Sequence, residues 1–171
     1  MAAVPRTADA PDGASADDGL HTRLTGIADA LGTLLAGYEP DRVTGPDAAS
    51  LLRLFVRIER MGATGKALSA HRAAAAEVHR AGGHRTTAHW LAEQTGDSVG
   101  DAIETERLGE ALSAQPAIDG AMRQGRLSRR KAAALAGAVA VDPAAEADLL
   151  QRAESQTLRS EEHTSELQSR L

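Results

Sequence analysis

The sequence predicts an all-α fold, an array of six or seven helices with a helix-turn-helix-like corner and a disordered N-terminus. Three observations carry this. Ala, Leu, Arg and Glu dominate the chain, and all four are strong helix formers. Few β-branched runs are present from which strands could be built. Apolar residues recur at intervals of three and four rather than two. At 171 residues the chain is long enough to bury roughly two-thirds of its unfolded surface as one domain.

Met1 to Gly19 mixes Pro, Asp, Ala and Gly without periodicity and reads as a disordered tail, residues 1–19. A helix is expected from about Leu20 to Ala36, because Leu20, Leu24, Ile27, Leu31, Leu34 and Leu35 make one apolar face. Gly37 and Pro40 close it. Gly45-Pro46-Asp47 opens a second, longer helix, since Pro suits a first turn. Gly62 and Gly65 mark a weak point in it, a kink or a division into two helices. Helical composition resumes from Lys66 to Arg80 and ends at Gly82-Gly83.

The second half has clearer punctuation. Thr86 or Thr87 caps a helix to about Gln94, and Thr95-Gly96-Asp97 is a tight turn. Ser98 caps the next helix, Val99 to about Ala114, with Asp101 in its first turn. Pro116 starts a short helix that Gly125 ends. Ser128 caps one more, to about Val141, and Asp142-Pro143 starts the last, to about Thr157. The expected core centres on Leu52, Phe55, Trp90, Leu91, Ile103, Leu108, Leu112, Leu127 and Leu135.

Composition excludes several functions. Without Cys there are no disulfides, thiolate zinc sites or Cys nucleophiles, which fits a cytoplasmic protein. No apolar stretch approaches the roughly 20 residues that cross a bilayer, so no membrane partner is expected. The N-terminus lacks the apolar segment of a signal peptide. Net charge is −5, but unevenly spread. Residues 1–50 hold eight acids against three bases, whereas residues 51–158 hold 13 acids against 14 bases. The overall acidity argues mildly against a dedicated nucleic-acid binder, and the second part leaves room for a basic face.

Four constellations could carry chemistry. Thr86 to Leu112 reads as helix, turn, helix, the outline of a DNA-binding motif. Its second helix carries Asp101, Glu104, Glu106 and Glu110 against Arg107 alone, and phosphates would repel it. An ordinary αα-corner is therefore the preferred reading. Arg123, Arg126, Arg129, Arg130 and Lys131 place five bases in nine residues around the turn Gly125-Arg126-Leu127-Ser128. A helix N-terminus with Arg side chains is a natural phosphate site, which makes these five the candidate nucleic-acid-binding residues. The competing reading is a solvated face balancing nearby acids. His84 and His89, five apart, and His71 and His79, eight apart, miss the i, i+4 spacing of zinc proteases and read as ordinary histidines. Trp90 reads as a core anchor, since no other aromatic lies near it to build a stacking platform. Phosphate-binding glycine loops, dinucleotide fingerprints and nucleophile elbows are absent, so no catalytic, cofactor or metal residue is assigned, and a stand-alone enzyme is the weakest reading.

The run Gly83-His84-Arg85-Thr86-Thr87-Ala88-His89-Trp90-Leu91-Ala92-Glu93-Gln94-Thr95-Gly96 resembles a signature of domain-of-unknown-function family 222, a large actinobacterial family. So do Leu108 to Leu112, Pro116, Ala121 and Gly125-Arg126-Leu127-Ser128 with the Ala-rich helix after it. The resemblance spans about Leu51 to Leu158 and implies the helical domain that commonly precedes an HNH endonuclease module. The metal-binding His and Asn of that module, and any divalent metal, would belong downstream. This chain has no Asn, so no nuclease residue is carried over. Arg159 to Ser169 looks like the in-frame translation of a sequencing adapter, and the Ala-rich bias stops there. The expectation is a helical domain over residues 20–158, cut short near Leu158, with a non-native tail over residues 159–171. Two functions follow as expectations: a DNA-associated accessory domain, or a protein–protein or self-association module without nucleic-acid contact.

Overall fold

The computed structural model describes residues 16–155, all of whose regular structure is helical. Most of the expected N-terminal tail and all of residues 159–171 lie outside the described residues. The chain divides into two compact units, Met1–Ala48 and Ala49–Leu171.

In the first unit, α1 spans Ala16–Ala36. It begins four residues before the expected Leu20, inside the stretch read as tail. Once a helix is nucleated, each added residue gains a hydrogen bond at little further cost. Gly37 closes it, donating from its N–H to Thr33 O at 3.3 Å. A 3-10 turn follows at Pro40–Arg42. Thr44 then caps the next helix: its hydroxyl donates to Asp47 Oδ2 at 2.8 Å and accepts from Asp47 N at 3.3 Å.

That helix, α2, runs unbroken over Gly45–Ala75 and carries the backbone into the second unit. Neither Gly62 nor Gly65 divides it. Each costs helix stability of about 1 kcal/mol relative to Ala, but Thr64, Ala67 and Ala70 are buried along the same stretch and hold it. The division comes instead at Glu77, in the left-handed conformation at φ 54°. Only the single turn α3, Val78–Ala81, follows before Gly82.

The remaining helices match their expected bounds closely. They are α4 (Thr87–Thr95), α5 (Val99–Ala114), α6 (Pro116–Arg123) and α7 (Arg129–Val141). A 3-10 turn at Pro143–Ala145 leads into α8 over residues 146–155. Thr86, Ser98 and Ser128 are the N-caps of α4, α5 and α7, each accepting from the N–H three residues on. The start of α6 is capped from a distance: Glu146 Oε1 accepts from Ala117 N at 2.9 Å and Ile118 N at 3.0 Å. A carboxylate there also meets the positive end of the helix dipole.

The main core gathers Ala67, Leu108, Leu112, Ile118, Ala121, Met122, Leu127, Ala132 and Val139, with Leu135, Leu149 and Leu150 packed against it. A smaller cluster joins Ala70, Ala88, Leu91 and Ala102, with Trp90 against it as an anchor. Two expected core residues are outside. Leu52 is 63% exposed, because the buried residues of α2 are Thr64, Ala67 and Ala70, further along the helix. Ile103 is 37% exposed, because α5 buries Ala102, Thr105, Leu108, Gly109 and Leu112, and Ile103 lies off that face. Phe55 is half-buried. Among the described residues no helix is long and apolar enough to cross a membrane.

Candidate functional site

The turn between α6 and α7 is where the five candidate cations meet. Gly125 ends α6 at φ 71°, with Gly125 N donating to Met122 O at 2.9 Å and Arg126 N to Ala121 O at 3.0 Å. Two arginines of α2, unsuspected from the sequence, grip the turn's carbonyls. Arg57 Nε donates to Gln124 O at 3.2 Å and Arg60 Nη1 to Gly125 O at 3.4 Å. Thr64 Oγ1, buried, sits 3.0 Å from Met122 O at the close of α6. The turn is therefore clamped on α2.

The cations themselves do not form one open basic face. Arg123 pairs along its own helix with Asp119 at 2.7 Å. Arg126 pairs with Glu154 of α8, and its Nε donates to Gln124 Oε1 at 2.9 Å. Arg129 reaches α5, 3.1 Å from Asp101 and 3.8 Å from Glu104. Arg130 is exposed and Lys131 also lies at the surface. Three of the five guanidinium or ammonium groups are thus turned toward three different helices, each onto a carboxylate.

The corner formed by α4 and α5 is closely packed, and the turn between them uses Gly96 at φ 73°. Its second helix presents the acids noted in the sequence. Between α5 and α7 lies an open groove of about 790 Å³, with Ala111, Ala114, Ala133, Ala136 and Gly137 among its lining residues and charged groups of both signs around them. Gln115 is buried at the end of α5, its Nε2 donating to Ala136 O at 3.1 Å while its Oε1 accepts no hydrogen bond from the described residues.

Two acids of the corner, Asp97 and Asp101, are favoured in their charged form. The Ser98 hydroxyl, donating at 2.7 Å, lowers the pKa of Asp101 below the ordinary carboxylate value, and the Arg129 guanidinium lowers it further. Lys66 does the same for Asp97, donating at 2.9 Å, with Thr95 assisting. A carboxylate whose pKa falls on folding contributes stability above its unfolded pKa, and loses it as pH falls through the folded one. Arg129→Gln should therefore raise the Asp101 titration midpoint toward the unfolded value, read from the carboxyl carbon shift by NMR. An unmoved midpoint would show that Arg129 does not govern this acid.

Three of the histidines have a polar partner nearby. His89 Nδ1 lies 2.7 Å from Thr86 Oγ1, His79 Nδ1 3.2 Å from Thr87 Oγ1, and His84 Nε2 3.4 Å from Glu93 Oε2. Among the described residues no three His, Asp or Glu side chains are grouped to hold a metal ion. Compared with protein-family models, curated proteins and solved structures, the chain matches none.

Proposed function

We propose that this chain is the helical accessory domain of an HNH endonuclease-like protein, as its resemblance implies, and that it works by protein association rather than by gripping nucleic acid. The observation that supports this most is the neutralisation of the basic turn. Arg123, Arg126 and Arg129 are each spent on a carboxylate of the same chain. A duplex would have to displace those carboxylates before phosphate could take their place, and the exposed acids of α5 would repel it. The chain also leaves large apolar side chains in water, Leu24, Ile27 and Leu52 among them, which is what an association domain presents before its partner arrives.

A second reading, contact with DNA through the basic turn, draws on one feature. Arg130 sits in the first turn of α7, where the helix N-terminus already favours an anion. The two readings part on salt dependence. A five-cation phosphate site gives a log–log salt slope of about −4.5, at about −0.9 per phosphate neutralised. Fluorescence anisotropy of a labelled duplex with the full chain should show no such slope, and Arg130→Glu should change nothing. A steep slope that flattens in Arg130→Glu would replace association with DNA contact. Arg129→Glu is a poorer probe, because it would set a third carboxylate beside Asp101 and Glu104.

A further inference from the structure

The groove between α5 and α7 has no assigned role, and it lies wholly within the second unit. Its volume of about 790 Å³ falls within the roughly 300–1,000 Å³ of small-molecule sites. The two helices run the same way along it: Arg129 meets Asp101 near their starts, and Gln115 meets Ala136 further on. Ala111, Ala114 and Ala133 lie between those two cross-links and line the groove. One lining residue is left with an unmet need. Gln115 is 8% exposed, and its amide bridges the two helices, Nε2 donating to Ala136 O at 3.1 Å. That bond fixes which way the amide faces and leaves Oε1 buried with no donor among the described residues. An acceptor withdrawn from water without a donor destabilises the fold that holds it.

The charges of the lining are unequal once their partners are considered. Arg129 is taken by Asp101 and Glu104. Arg107 of α5 and Arg130 of α7 are exposed and have no ion-pair partner among the described residues. Against these two cations the lining leaves one acid, Glu110. Arg130 precedes Ala136 by six residues, about 9 Å of helical rise, and Arg107 precedes Gln115 by eight, about 12 Å. The two cations and the orphaned acceptor therefore stand about 10 Å apart along the groove.

We propose that this groove binds an apolar monocarboxylate carrying a hydroxyl or amide N–H about 10 Å from its carboxylate. The carboxylate lies between Arg107 and Arg130, and the apolar chain lies on the alanines. The far donor reaches Gln115 Oε1 after a small tilt of the amide. One negative charge matches the surplus of one cation, whereas a phosphate would bring nearly two and meet Glu110. A plain hydrocarbon would leave the cations and the amide oxygen unused. The site does not depend on how the domain associates.

Titration of the full chain with ω-hydroxydecanoate, followed by backbone amide NMR shifts, tests this. The expected result is saturable movement of signals lining the groove, Ala111, Gln115 and Ala133 among them. Decanoate, which lacks the hydroxyl, should bind several-fold more weakly. Arg130→Gln should weaken the hydroxy acid about tenfold and leave binding of the uncharged decanediol unchanged. Ala133 is exposed in the groove, so Ala133→Leu should block binding with no loss of helical circular dichroism. Signals that stay still at millimolar concentrations overturn the inference, as does binding that Ala133→Leu leaves intact. Equal weakening of acid and diol by Arg130→Gln overturns the carboxylate's place, and equal affinity for decanoate and its hydroxy form overturns the role of Gln115. If no acid binds but Ala133→Leu breaks up a dimer in sedimentation velocity, the groove belongs to a partner helix and the inference falls.

Discussion

Gly109→Ala should destabilise the second unit by about 3 kcal/mol, the upper end of the cost of overpacking a closed core. A unit of this size loses about 4 °C of Tm per kcal/mol, so thermal unfolding followed by circular dichroism should move down by roughly 12 °C. The reason is a close helix crossing. Gly109 lies on the buried face of α5, and its Cα faces the α2 backbone. A methyl group there would overlap the Ala67 carbonyl oxygen and come within 2.7 Å of the His71 Cβ. Backbone cannot rotate away as a side chain can, so α2 and α5 would have to separate and open the core that Ala67, Leu108 and Leu112 share. Gly137→Ala is the control. Gly137 lies within α7, with nothing inside 4 Å of an added Cβ, so the same substitution should stabilise by about 1 kcal/mol through helix propensity alone. If both variants move stability alike, the crossing is not as tight as its geometry says.

The contrast between those glycines marks where the sequence stops being readable. Local chemistry was legible. Thr86, Ser98 and Ser128 announce helix starts because a hydroxyl at that position satisfies a backbone N–H three residues on, a relation contained within four residues. Gly96 and Gly125 announce stops for the same local reason. What fails is whatever depends on a distant partner. Gly109 and Gly137 look alike in sequence, and only α2 makes them different. Glu77 adopts a left-handed conformation although Glu favours helix, so the end of α2 carried no composition signal. Leu52 has the apolar character of a core residue but lies ahead of the packed stretch. The basic turn was found as a cluster, yet its partners Asp101 and Glu154 lie 28 residues from the arginines they neutralise. Arg57 and Arg60, which hold the turn in place, lie more than 60 residues before it. A charge cluster can be read from composition, but whether it faces solvent or its own acids is decided by the fold.

Gly125→Ala should cost a similar amount, about 3 kcal/mol, and should also disorder the basic turn. Two penalties add there. The left-handed backbone at φ 71° costs a residue with a Cβ about 1 kcal/mol or more. The Cβ would also lie 2.7 Å from Arg57 Cγ and 2.8 Å from Arg57 O, at the place where α2 clamps the turn. Asn separates the two effects, because it tolerates the left-handed region far better than Ala but carries the same Cβ. If conformation dominates, Gly125→Asn should recover most of the stability that Gly125→Ala loses. If contact with α2 dominates, as the two short approaches indicate, Asn should be nearly as damaging. Truncating Arg57 together with Gly125→Ala should then restore only part of the loss, since the Arg57 carbonyl stays where it was. The consequence for the turn is specific. Displacing it from α2 breaks the hydrogen bonds from Arg57 and Arg60 to the carbonyls of Gln124 and Gly125 and shifts Arg126 away from Glu154. Hydrogen exchange at Gly125 N and Arg126 N should accelerate more than in the interior of α5. An unchanged exchange pattern with lowered global stability would show that the turn follows the core rather than the clamp.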